Sequence, residues 1–298
     1  ASKKNMGRVS GIGWAVGYFG AIIALVLALV VFIMPEEAPF GLDKENSEHV
    51  RATMILAGLW LLIFSLPLFM FVKEGASASN LSKPWEIIKT GWNEIGKIPG
   101  LRRFLIARML YVDGLTVVFA FIGIFAAKVF GFSGQDVLLF AIAVNFTCGV
   151  GALIGGWFDD KLGSFKTIKI ALIFLIIIGA LVLLSPNALS FWIFSLIAGL
   201  FIGPVQSASR SLVSHLAPEE HRAQIFGFYM LAGKITSFLG PMVYATIVLW
   251  ATQSPLIESL SFTLFGEGNG TLGERAGMIT VVLFLIAGYF VLGRKSPG

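Results

Sequence analysis

The sequence contains few charged residues and almost no cysteine. Only 13% of its 298 residues are Asp, Glu, Lys or Arg, whereas 56% are hydrophobic. About a quarter of the residues in a water-soluble globule are charged, so this composition excludes such a protein and predicts one whose solvent is lipid. The single cysteine, Cys148, lies in an apolar run and excludes an internal disulfide.

Residues for metal or phosphate chemistry are also scarce. The three histidines, His49, His215 and His221, lie in or beside connections, and they lack the Glu or Cys spacing of a zinc motif. The dipeptide Gly233-Lys234 lacks the preceding Gly and the following Ser or Thr of a phosphate loop. The sequence therefore predicts no metal, no cofactor and no enzymatic reaction.

Long apolar runs dominate what is present. A helix needs about 20 apolar residues to cross the hydrocarbon core, and in an open chain only helices satisfy their own backbone groups there. We predict an all-α bundle of membrane helices with eight spans, at residues 9–34, 52–72, 104–127, 137–158, 167–185, 189–209, 223–251 and 276–293.

Lys and Arg residues follow this predicted topology. Sixteen lie on one side of the membrane, and four lie on the other, namely Lys44, Arg51, Lys128 and Arg275. Because positive residues are retained in the cytoplasm, the asymmetry places both termini there. The net charge of +5 then reflects topology, and we predict no nucleic-acid partner.

One cytoplasmic turn carries an acid, a base and a glycine at Asp160, Lys161 and Gly163. This turn resembles the cytoplasmic signature of the major facilitators, although Ser and Phe follow Gly163 where Arg or Lys is usual. The resemblance implies a gate in which the acid pairs across neighbouring helix ends in one conformation. A short charged turn without a gating role is the alternative.

Four further runs, at residues 7–18, 111–114, 203–218 and 226–241, resemble the vacuole-effluxer family of major facilitators. The resemblance implies a transporter of two six-helix halves, in which 9–34 is the fifth helix and the first four helices are absent here. We accordingly expect three parts. Residues 1–72 form the last two helices of the first half, 73–103 form a cytoplasmic linker with an amphipathic helix, and 104–298 form a complete six-helix second half.

Asp113 and Lys234 are the ionisable residues deepest within the predicted spans. An unpaired charge at the bilayer centre costs at least about 2.5–3.5 kcal/mol. We therefore predict that the two residues form a buried ion pair. The pair either exchanges partners with substrate or a proton during transport or only neutralises two buried charges, and absence of contact is the remaining alternative.

Three more polar residues complete the predicted substrate site. Asn145 and Gln206 could bind polar groups of a solute, and interhelical hydrogen bonding is the alternative. Arg210 belongs to the family-like run, where a site role and snorkelling to the headgroups are both open. Arg108, nearer a helix end, is predicted to snorkel.

These residues predict a secondary transporter that moves a small polar solute by alternating access. The family resemblance implies amino acids as the substrate class, and a proton is the expected coupling ion. A non-transporting membrane scaffold or assembly subunit is the alternative, although it would need no charges within the spans. We expect a prokaryotic plasma membrane rather than an organelle membrane, and no transport by this chain without the missing helices.

Overall fold

A computed structural model describes residues 5–72, 84–255, 259, 263 and 270–293. Within these residues the all-α prediction is confirmed. Ten α-helices follow one another: α1 Met6–Ala28, α2 Glu48–Phe71, α3 Pro84–Lys97, α4 Leu101–Phe130, α5 Gly134–Leu162, α6 Ser164–Leu183, α7 Ala188–Leu216, α8 Arg222–Ala232, α9 Leu239–Gln253 and α10 Gly270–Leu292. A π-helical turn, Leu29–Ile33, extends α1.

Local sequence accounts for several helix ends. Ser133 and Asp136 form a reciprocal capping box at the start of α5, and the same arrangement begins α7. Such caps satisfy backbone donors that a helix start leaves open. Gly131 follows α4 and Gly163 separates α5 from α6, with φ angles of +70° and +85°. Only glycine reaches these angles readily, so the connections are short.

Seven of the described helices are long and apolar enough to cross a membrane: α1 with its π turn, α2, α4, α5, α6, α7 and α10. The predicted span at 223–251 is not one continuous helix, because α8 ends at Ala232 and α9 begins at Leu239. That part of the prediction is wrong. Hydropathy averaged over a whole span does not reveal the break, since the short polar stretch lies between apolar segments on both sides. The count of eight spans remains a prediction.

Helices α4 to α10 pack around a shared apolar core. Both α5 and α6 pack on α7, and α10 packs on α4, α6 and α9. Helix α1 docks on α5 and α7, whereas α2 contacts mainly α1 and its π turn and has no buried residue. Helix α3 lies within the predicted linker, against α4 and α8. The division of the chain at 73–103 remains a prediction.

One end of the bundle carries most of the described Lys and Arg residues, and we call it the basic end. It includes the start of α1 with Arg8, the end of α3 with Lys97, and the turn between α5 and α6 with Lys161 and Lys166. Six of the sixteen basic residues that predict the topology lie outside the described residues: Lys3, Lys4, Lys73, Lys83, Arg294 and Lys295.

Glycines allow α5 and α7 to approach each other closely. A Cβ atom on Gly151 would lie 2.4 Å from the Leu200 carbonyl oxygen, and one on Gly203 would lie 2.2 Å from the Cys148 carbonyl oxygen. Side-chain carbons do not approach backbone so closely, so glycine is required at both positions. Gly17 on α1 differs, because a Cβ there would meet no atom within 4 Å.

Candidate functional site

The break between α8 and α9 is stabilised by a buried arginine from α4. Arg108 is 9% exposed. Its Nη1 donates to the Tyr229 carbonyl oxygen at 2.7 Å, and its guanidinium lies 3.7 Å from the Tyr229 ring centroid. The last carbonyls of a helix have no intrahelical donor and carry partial negative charge, so Arg108 caps the end of α8. The prediction that Arg108 snorkels to the headgroups is wrong for this reason.

Asp113 lies beside the same break and is only 1% exposed. Its carboxylate adjoins the Thr236 side chain. Asp113 Oδ1 and Thr236 Oγ1 are both buried, and neither has a hydrogen-bond partner among the described residues. Gly240 lets α9 approach this part of α4, because a Cβ there would lie 2.7 Å from the Asp113 carbonyl oxygen. A buried carboxylate that forms no salt bridge with any described residue therefore faces the turn between α8 and α9.

The predicted ion pair between Asp113 and Lys234 is absent. Lys234 is exposed, and none of the salt bridges among the described residues includes it. The prediction assumed a continuous helix, but the backbone N–H groups of Lys234 and Ser237 donate to carbonyls three residues earlier. These tight turns change the direction in which side chains project, and Thr236 rather than Lys234 lies next to Asp113.

Gln206 and Arg210 on α7 both contact α1. The Tyr18 hydroxyl donates to Gln206 Oε1 at 2.8 Å. Arg210 donates from Nε to Ser10 Oγ at 3.0 Å and from Nη2 to the Ser10 carbonyl oxygen at 2.9 Å. Gly13 provides the space, because a Cβ there would lie 2.6 Å from Arg210 Nη2. The two α7 residues therefore join helices in this conformation.

Asn145 does not converge with these residues. Its side chain is half-buried, and its Nδ2 donates to the Ala141 carbonyl oxygen one turn earlier on α5 at 2.8 Å. This donor is used within its own helix. A role for Asn145 in binding a solute remains a prediction, as does a direct role for Gln206 and Arg210.

Asp160 joins the end of α5 to the start of α1. The Gly7 backbone N–H donates to Asp160 Oδ1 at 2.8 Å, and Arg8 Nε donates to Oδ2 at 2.7 Å. The carboxylate thus caps the positive end of α1 and forms an ion pair with its first turn. Lys161 does not take part, since its Nζ lies 3.6 Å from the Trp157 ring centroid.

A second buried polar cluster lies at the opposite end of the bundle and was not predicted. Glu274 on α10 is 4% exposed, receives a hydrogen bond from Lys128 on α4 at 2.5 Å, and accepts one from the Tyr244 hydroxyl on α9. Arg275 donates to the Leu183 carbonyl oxygen at 2.6 Å. Placing the last predicted span at 276–293 assigned both charges to a connection. The available signal was that Glu274 and Arg275 are adjacent in sequence and directly precede the last apolar run.

Potential metal ligands are dispersed in the part of the chain that the structure describes. Within it, no group of three or more His, Cys, Asp or Glu side chains is close enough to hold an ion.

The fold is similar to those of two solved structures of a bacterial homologue of the human lysosomal transporter Spinster. The inward-facing, occupied structure matches with a TM-score of 0.60 and 18% identity, covering 97% of this chain and 68% of that chain. The inward-facing, unoccupied structure matches with a TM-score of 0.58 and 16% identity, covering 94% and 67%. The molecule therefore has the helical fold of the major facilitators, a class of membrane transporters.

Residues 2–252 match the family described as vacuole effluxer Atg22 like, so the chain belongs to that family. It is 21% identical over 266 residues to an uncharacterized MFS-type transporter, YxiO, of Bacillus subtilis strain 168, covering 87% of this chain and 61% of the relative. It is 24% identical over 315 residues to autophagy-related protein 22 of Cryptococcus neoformans var. neoformans serotype D, covering 97% and 50%. The chain thus spans about half to three-fifths of these relatives, and the predicted family resemblance is confirmed.

Proposed function

We propose that this protein is part of a secondary transporter that moves a small polar solute by alternating access. The observation that carries the proposal is the buried Asp113 carboxylate on α4, which faces the break between α8 and α9. Discontinuous helices at mid-membrane depth bind substrates and coupling ions in many transporters. A membrane scaffold has no need for a carboxylate in such a position, because buried charges are costly there. Amino acids are the substrate class that the family suggests.

Asp113 is the proposed proton carrier. The Asp113 carboxyl group is 1% exposed, and no salt bridge among the described residues includes it. Carboxyl groups buried in transporters commonly carry protons. A protonated Asp113 can donate to Thr236 Oγ1, which otherwise has no hydrogen bond. Movement of the turn between α8 and α9 would remove this acceptor and favour proton release. Proton binding and the position of the turn are thereby linked.

Lys234 is the proposed site for a negative group of the solute. Lys234 is exposed within the break, as are Met230 before it and Phe238 after it. A lysine facing lipid at this depth would cost at least about 2.5–3.5 kcal/mol. We infer that the exposed Lys234 side chain borders a water-filled path, where its ammonium group can bind a carboxylate of the solute. The proposal replaces the predicted pair with two separate roles.

Asp160 and Arg8 form the proposed gate, with Gly163 as its hinge. In the described conformation Asp160 holds α1 against α5, while Arg210 and Gln206 hold α1 against α7. All these contacts join α1 to α5 or α7. We propose that they break together when the basic end opens. The same proposal places the basic end, and both termini, in the cytoplasm of a prokaryotic cell.

Helices beyond the described bundle are proposed to complete the path. The curated relatives are longer than the stretch that this chain matches, and α1 and α2 offer little wall for a cavity opposite Lys234. We therefore expect no uptake by this chain alone and uptake when it is extended by the family's first four helices. Robust transport by the short chain would contradict this part of the proposal.

Variants of the extended protein test the proposed site. Proteoliposomes with an imposed pH gradient and a radiolabelled amino-acid mixture would measure uptake. We expect Asp113→Asn to abolish proton dependence and Lys234→Met to lower uptake at least tenfold. Glu37→Gln and Lys89→Gln change exposed residues and serve as matched controls. Full, proton-dependent transport by both site variants would refute the assigned roles, and absence of uptake by the unaltered extended protein would favour a scaffold.

A further inference from the structure

An open apolar groove lies between α5 and α6, with α7 as its floor. Its cavity measures about 360 Å³, and its walls include Phe158, Leu162, Ile170 and Phe174. These wall side chains are exposed, with Phe174 at 44%. Phe174 on the wall stacks on Phe201 of α7, with ring centroids 4.5 Å apart and planes 9° apart. The groove is therefore shaped for a slender apolar ligand.

The groove faces away from the helices that dock on this bundle. Helix α1 contacts α5 through a different face, where a Cβ on Gly11 would lie 2.4 Å from the Ala152 carbonyl oxygen. Helix α10 packs on α6 but contributes no residue to the groove. A partner that extends the bundle through α1 would thus leave the groove uncovered. Its natural surroundings are lipid.

Two lysines stand at the end of the groove nearest the turn between α5 and α6. Lys161 directly precedes Leu162, and Lys166 lies four residues before Ile170 and eight before Phe174, on the same stripe of α6. Both lysines are exposed, and neither forms a salt bridge with a carboxylate in the described ranges. Neighbouring Asp160 is occupied by Arg8. Lys161 Nζ lies 3.6 Å from the Trp157 ring centroid, so it would leave this ring to reach a ligand in the groove. Two cations without a carboxylate partner in the described ranges therefore lie near one end of the apolar groove.

We propose that this groove binds one acyl chain of an anionic phospholipid whose phosphate is held by Lys161 and Lys166. Basic pockets between membrane helices recognise anionic headgroups in this way. The lipid would bridge α5 and α6 next to the turn that carries Asp160, and so would stabilise the closed gate. The lipid site itself does not depend on the proposed transport activity, since it uses neither Asp113 nor Lys234.

Native mass spectrometry of the purified chain in a neutral detergent tests the proposal. The probes are dioleoyl phosphatidylglycerol, dioleoyl phosphatidylcholine and glycerol 1-phosphate, which lacks acyl chains. We expect one tightly retained phosphatidylglycerol and no comparable retention of the other two. Each lysine near a membrane surface contributes about a fivefold gain in affinity. The double variant Lys161→Gln/Lys166→Gln should therefore bind phosphatidylglycerol roughly 30-fold more weakly.

Control variants separate this site from diffuse charge attraction and from misfolding. Lys89→Gln removes one exposed charge from α3 at the same end, and it should leave the affinity within about twofold. The double variant Lys161→Arg/Lys166→Arg keeps both charges and should retain tight binding. Unchanged affinity in the Gln variant, equal binding of phosphatidylcholine, equal binding of glycerol 1-phosphate or an equal loss in Lys89→Gln would each overturn the proposal.

Discussion

Replacing Arg108 with Met tests whether this residue holds the end of α8 in place. The substitution keeps an apolar stem of similar shape but removes the donor to the Tyr229 carbonyl oxygen and the stacking on its ring. A buried acceptor left without a donor costs about 1–3 kcal/mol, and a desolvated cation–π contact contributes about 2 kcal/mol. Loss of the guanidinium returns some free energy, because Arg108 Nε is itself buried without a partner. We expect a net destabilisation of about 2–3 kcal/mol.

The lone cysteine provides the assay. Cys148 is fully buried in α5, so a thiol-reactive fluorophore labels it only when the bundle opens. In a domain of 150–250 residues, 1 kcal/mol lowers the unfolding midpoint by about 2–4 °C, and we therefore expect a decrease of about 4–12 °C for Arg108→Met. Arg108→Lys keeps the charge but not the planar stacking, so its unfolding midpoint should lie between those of the unaltered protein and Arg108→Met.

A matched control uses an arginine at the start of α8. Arg222 is exposed and pairs with Glu219 one turn earlier at 3.4 Å, so Arg222→Met should change the free energy of unfolding by less than about 0.5 kcal/mol. Equal labelling midpoints for Arg108→Met and Arg222→Met would show that Arg108 does not cap α8. A higher midpoint for Arg108→Met would show that burying the charge costs more than its contacts return.

Two further predictions concern helix α1 and the packing of α7. Asp160→Ala removes both carboxylate oxygens that accept hydrogen bonds from the first turn of α1. We expect amides 7–10 to exchange hydrogen about fivefold faster, which corresponds to about 1 kcal/mol. Unchanged exchange would contradict the gate contacts. Gly203→Leu should prevent a monodisperse folded bundle in size-exclusion chromatography, because no space exists for its side chain. Gly17→Leu is the control, because a Cβ at Gly17 would meet no atom within 4 Å, and this variant should elute as the unaltered protein does.

The helical fold and its family could be predicted because both depend on features written along the chain. An apolar run of span length forms a helix in the membrane regardless of which helices lie beside it. The turn at Gly163 and the run through Gln206 and Arg210 carry recognisable spacing.

The break in the helical segment and the partners of its charges could not be predicted in the same way. Residues 233–238 include the polar residues Lys234, Thr236 and Ser237, but long apolar segments lie on both sides of them. Hydropathy averaged over a window of span length therefore does not separate a broken helix from a continuous one. Depth along a span placed Asp113 and Lys234 at one level but gave no information about the direction of either side chain. Arg108 was assigned to the headgroups because the attraction of an unsatisfied carbonyl on another helix appears only after folding.

Helix α2 has a consequence for how the chain enters the membrane. None of its 24 residues is buried against the protein, so its insertion is decided by its own transfer free energy, as for a single-pass helix. Helix α1 differs, because its polar contacts with α5 and α7 form only after those helices are in place. Stable insertion and lateral docking are then separate steps, and α2 should remain in the bilayer even when the rest of the bundle has come apart.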